Sequence, residues 1–216
     1  MALKKKIIQD ELANIKNQID TDFFPIINRT KHSYFAILLL VFSLTDYLGS
    51  LYKGTNSSRN AVSFVREFFS KSNIAYEDCA GILYFIYRHG TVHQRIPKLT
   101  QLRSKGGKMS WYITKNVPNR HLRGFKMSNN SAKGLVISMK SLILDLKKAV
   151  EEYEKDLLAN TPSATILRKN FSKAYKEARI FRKENLLLVD PQAKYLDIKD
   201  FDFIREQLRH PLILKS

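Results

Sequence analysis

The stretch Ala80-Gly-Ile-Leu-Tyr-Phe-Ile-Tyr-Arg88-His-Gly-Thr-Val-His93 decides how the chain is read. Ala80, Ile82, Leu83, Tyr84, Phe85, Ile86 and Tyr87 form a dense apolar run. That run predicts a buried helix from about residue 75 to the vicinity of Gly90. Arg88, His89 and His93 close it. An imidazole that titrates near neutrality can take the proton of a ribose 2′-hydroxyl or protonate a leaving oxygen. A guanidinium can grip a phosphate with two hydrogen bonds and stabilise the charge that builds on it. RNA brings its own nucleophile, so Arg88 and His93 suffice without a metal or cofactor. On an ideal helix the two positions lie about 140° apart around the axis. They converge only if Gly90 lets the chain turn, or if a twofold-related copy supplies the missing half.

Working outward, the same periodic pattern recurs. Leu3, Ile7, Ile8, Leu12, Ile15 and Ile19 predict an amphipathic helix over residues 2–20, ended by Phe23-Phe24-Pro25. Residues 31–53 read as a buried core helix, because Asp46 in mid-segment argues against a membrane span. Ser57 or Ser58 caps a helix over 59–71. A long helix is expected over 132–160, and another over 163–184 with Pro162 at its start. A last helix is expected near 200–208. Between these, residues 96–127 carry Pro97, Gly106-Gly107, Pro118 and Gly124, which points to a loop or small β-hairpin turning at Gly106-Gly107. The expected fold is all-α: a helical domain over 1–160 with an insertion at about 95–127, then a C-terminal helical extension over 161–216.

Charge marks the insertion. The 216 residues hold 37 Lys and Arg against 20 Asp and Glu, and residues 95–148 alone carry a net +12. Such a field selects polyanions. Arg95, Lys98, Arg103, Lys105, Lys108, Arg120 and Arg123 are the candidate RNA contacts, with Trp111 and Tyr112 available to stack on bases. In an alternating strand only one of that pair faces outward. A single cysteine, Cys79, excludes an internal disulfide and a Cys-rich zinc site and fits a reducing cytoplasm.

Tyr87-Arg88-His89-Gly90-Thr91-Val92-His93-Gln94, following a helical segment, resembles the signature of the HEPN superfamily: Arg, a polar residue, a few variable residues, then His. Residues 38–52, with Asp46, are similar to that family's core helix. The resemblance spans roughly 30–160. It implies a helical bundle that forms a homodimer and places two such motifs in one cleft. It also implies a metal-independent endoribonuclease of a toxin–antitoxin or phage-defence system, with an antitoxin or regulatory protein as a further partner. Products would carry a 2′,3′-cyclic phosphate and a 5′-hydroxyl. Some members have lost activity and serve as RNA-binding or assembly subunits. The resemblance makes Arg88 and His93 catalytic, with His89 shaping the site.

Other candidates carry less. His89 and His93 have metal-ligand spacing, but no Glu follows His89 and no third ligand is near. Asp46 either orients Arg88 or His93 or points at solvent. His32, His121 and His210 have no motif around them and are expected on the surface. Asp145-Leu-Lys147 and Asp197-Ile-Lys199 lack the strand setting of a metal nuclease.

Overall fold

The computed structural model describes residues 5–29, 34–94, 100–101, 108–126 and 132–185. Helix α1 (Lys5–Gln18) runs through a π-helical turn at Ile19–Phe23 into α2 (Phe24–Arg29). Then follow α3 (Tyr34–Lys53) and α4 (Ser58–Phe64), the latter extended by a π turn at Val65–Phe69. Helix α5 (Ala75–Ile82) continues through a π segment at Leu83–Arg88 into α6 (His89–Gln94). Strands β1 (Thr100–Gln101), β2 (Lys108–Thr114), β3 (Gly124–Lys126) and β4 (Ala132–Ser138) precede α7 (Met139–Leu158) and α8 (Pro162–Asn185). The chain divides into two compact units, 1–176 and 177–216, so the first part of α8 belongs with the bundle. Of the second unit only the end of α8 is described.

The fold is predominantly helical but not all-α. Among the described residues a four-stranded sheet, ordered β1-β2-β4-β3, is built from the basic insertion and the segment after it. The hairpin is present: β1 pairs antiparallel with β2, Thr100 opposite Met109. Its turn, with Gly106-Gly107, lies outside the described residues, as do the expected helix near 200–208, His32 and His210. The helix expected from residue 132 begins only at Met139. Leu135, Met139 and Leu142 have helical spacing, which masks a strand whose partner is distant in sequence. Residues 132–138 instead lie parallel to β2 over seven paired positions, Trp111 opposite Leu135. β3 closes the far edge antiparallel to β4.

Local chemistry explains the end of α3 and the start of α4. Ser57 is the residue that caps α4, its hydroxyl accepting from the Arg59 N–H. Gly54 ends α3 with φ +73°, a conformation open to glycine, and donates its N–H to the Ser50 carbonyl. Phe23-Phe24-Pro25 does not stop the first helix as expected. The chain passes through a π turn, Phe24 N–H reaching the Ile19 carbonyl, and continues as α2 with Pro25 at its second residue.

The core is made by α1, α3, α4 and α7, with Ile8, Leu12, Ile37, Leu48, Phe64, Leu146 and Val150 fully buried. Among the described residues α3 is the one helix long and apolar enough to cross a membrane, and Ile37, Leu38, Val41, Leu48 and Leu51 on it are packed inside the bundle. Tyr52, Phe64, Phe68 and Tyr153 form an aromatic cluster, with Phe68 and Tyr153 ring centres 5.0 Å apart. The Tyr153 hydroxyl is buried there with no hydrogen-bond partner among the described residues, and desolvation pushes its phenol well above the usual range. Removing that orphaned hydroxyl should help. Tyr153→Phe is expected to raise stability by about 1 kcal/mol in urea unfolding, and a destabilised variant would contradict this reading of the cluster.

Candidate active site

Arg88 closes the π segment and leans onto α3. Its Nε and Nη2 donate to one carboxylate oxygen of Asp46 at 3.1 and 2.9 Å. The other oxygen accepts from the Tyr84 hydroxyl at 2.8 Å. Tyr84 lies one turn before Arg88, and the guanidinium carbon stands 5.3 Å from its ring centre. Burial, aided by the Asp46 hydrogen bond and charge, lifts the Tyr84 phenol to about 12, so at neutral pH it stays a donor. Asp46 and Tyr84 therefore fix the plane of the guanidinium. With side chains about a quarter exposed (Arg88 23%, Asp46 28%), the pair adds little to stability and much to position. Arg88 Nη1 has no hydrogen bond among the described residues, which leaves one end of the fork for a phosphate.

The pair opens on a cleft of about 410 Å³ lined by Leu39, Leu40, Ser43, Asp46 and Arg88. Leu39 is 41% exposed, and 49%-exposed Phe85 sits beside His89, ring centres 6.4 Å apart. His89 also meets the Tyr84 ring edge at 5.3 Å. A larger cavity of about 500 Å³ lies elsewhere, with Tyr52, Lys53, Asp156 and Asn170 in its lining. Its charges serve packing: Asp156 accepts from Lys71 and Lys53 stands over Tyr52.

His93 lies on α6, one residue before its end, and its side chain is outside the described set. The helix does not turn at Gly90 but continues to Gln94. With α6 continuing through Gly90, no chain turn there brings positions 88 and 93 together. Arg95, Lys98, Arg103 and Lys105 lie outside the described residues, and Lys108 is placed only as the first residue of β2. Arg120 and Arg123 are exposed on either side of the segment joining the 3-10 turn at Pro118–Arg120 to β3. No cluster of three or more His, Cys, Asp or Glu among the described residues is arranged to hold a metal ion.

His121 is not on the surface. It is 7% exposed, because partners far along the chain enclose it. Its Nδ1 accepts from the Ser138 N–H at 3.0 Å, so in the neutral ring Nε2 carries the proton. Nε2 lies 2.9 Å from the Tyr76 hydroxyl and 3.2 Å from Asp145, to which Tyr76 also donates. Leu122 beside it adopts φ +60°, the only non-glycine residue with positive φ among those described, held by its N–H on the Val136 carbonyl. The network ties the Arg120–Arg123 segment to α5 and α7. Asp145 and Lys147 diverge, Lys147 pairing with Asp20, so they form no Asp-x-Lys metal element. Sequence reasoning missed both this network and Tyr84. The i, i+4 spacing of Tyr84 and Arg88 could have shown the latter.

Cys79 is buried and its thiol is pushed up to about 12 by desolvation, which keeps it protonated at neutral pH. No family model matches the chain, and neither does any curated protein or solved structure.

Proposed function

We propose that the chain is a HEPN-like, metal-independent endoribonuclease working as a homodimer in the cytoplasm. The clamped guanidinium of Arg88 at the mouth of an open cleft carries this proposal. His93 takes the 2′-hydroxyl proton or protonates the leaving 5′-oxygen. Arg88 stabilises charge on the phosphate while the 2′-oxygen–phosphorus bond forms and the phosphorus–5′-oxygen bond breaks. His89 shapes the cleft. Exposed Leu39 and Phe85 beside the motif supply apolar surface for the second copy. The residues Arg95, Lys98, Arg103, Lys105, Lys108, Arg120 and Arg123 hold RNA through its phosphates. An antitoxin or regulatory protein is the further partner this class of enzyme brings.

One observation favours a rival. The Asp46 carboxylate already neutralises Arg88, which suits a non-catalytic RNA-binding or assembly subunit. Incubation of the purified protein with RNA in EDTA separates the two. The enzyme yields 2′,3′-cyclic phosphate ends, whereas the subunit yields salt-sensitive binding and intact RNA.

A further inference from the structure

The outer face of the sheet carries a second aromatic feature, apart from the Arg88 cleft. Strand alternation turns Trp111 inward, where its ring meets Phe35 of α3 edge-on at 6.1 Å, alongside buried Leu135 and Ile137. Tyr112 consequently faces outward and is 54% exposed. Across the sheet, β3 places Phe125 opposite Gly134 of β4, while Tyr112 is opposite Val136. Gly134 has no side chain to stand between the rings, and Tyr112 and Phe125 meet at 6.3 Å with planes inclined by 69°. An edge-on pair leaves a ring face free.

The segment is cationic in sequence. No Asp or Glu occurs between Asp78 and Asp145. Arg120 and Arg123 are exposed next to β3. The inner face is tied to the helix that bears the motif, since the Tyr87 hydroxyl, one residue before Arg88, donates to the Leu135 carbonyl at 2.7 Å. An aromatic pair with one exposed ring on a sheet, beside exposed Arg120 and Arg123, matches what unpaired bases and their phosphates need.

We infer that this face is a stacking platform for single-stranded RNA, with Tyr112 and Phe125 receiving an unpaired base and Arg120 and Arg123 its phosphates. This rests on the proposal that RNA is the ligand and narrows it to unpaired strands. The platform selects substrate and takes no part in bond breaking.

The test is fluorescence anisotropy of the full-length protein with a labelled 2′-O-methyl oligouridylate of roughly ten nucleotides, which cannot cyclise. Tyr112→Ala is expected to weaken binding about tenfold to a hundredfold, and Tyr112→Phe to retain it. Tyr112→Leu preserves apolar packing on Phe125 but offers no π-face, so it should fail like alanine while circular dichroism stays unchanged. Duplex RNA should bind with little dependence on Tyr112. Unchanged single-strand binding by Tyr112→Ala, binding restored by Tyr112→Leu, or an equal loss for duplex would each overturn the platform. Tyr112-dependent binding without any cleavage would remove the nuclease proposal and leave the platform standing. Cleavage dependent on Arg88 and His93 but indifferent to Tyr112 would do the reverse.

Discussion

On the proposed mechanism, His93→Ala is expected to lower RNA cleavage in EDTA by about 10²- to 10⁴-fold, the range of a lost general acid or base. Arg88→Ala is expected to lower it by about 10²- to 10³-fold, through loss of charge stabilisation on the phosphate. Arg88→Lys recovers little, because an ammonium lacks the planar fork that Asp46 and Tyr84 hold in place. Neither loss should trace to unfolding. The Arg88–Asp46 pair is partly exposed, and such pairs contribute about 0.2–1 kcal/mol. Quantified cyclic-phosphate ends and a thermal melt of each variant separate chemistry from stability. Cleavage that survives His93→Ala, or that needs an added metal, contradicts the mechanism.

Gly49→Ala is the largest effect expected on the fold. A Cβ at Gly49 would stand 2.5 Å from the Ala61 nitrogen and 2.7 Å from both the Ala61 Cα and the Asn60 carbonyl carbon. All three are backbone atoms of α4, so no rotamer change relieves the clash and the two helices must part. Overpacking of this kind costs about 3 kcal/mol or more. For a domain of this size that is roughly 6–12 °C in melting temperature. Gly81→Ala is the matched control. Nothing lies within 4 Å of its added methyl, and within α5 the exchange should stabilise by about 0.5–1 kcal/mol. If both variants melt like the parent, the close α3–α4 contact is wrong.

What could be read from the sequence was what is local. Apolar spacing of three and four located α1 and the body of α7, a long apolar run located α3, and Pro162 marked the start of α8, while Ser57 marked the start of α4. The pairing of β1 with β2 agrees with one of the two readings of the insertion, a loop or a hairpin. β4 was not legible, since Leu135 sits in helical register with Met139 and Leu142 while the pairing that makes it a strand comes from β2, distant in sequence. The three π segments have no comparable local signature. At the site, the type and spacing of Arg88 and His93 were legible. The carboxylate that holds Arg88 required α3 to pack beside it, and the burial of His121 required Tyr76 and Asp145. A histidine's neighbours in sequence say nothing about such partners.

Mixing two inactive variants tests whether Arg88 of one copy and His93 of another act on one phosphate. Arg88→Ala and His93→Ala chains are co-expressed, and pairing is verified by mass under native conditions. In a heterodimer one cleft then carries an intact Arg88 and an intact His93, and the other carries neither. Random pairing should restore about a quarter of wild-type cleavage. A mixture as inactive as its parts, with heterodimers present, contradicts a site shared between copies.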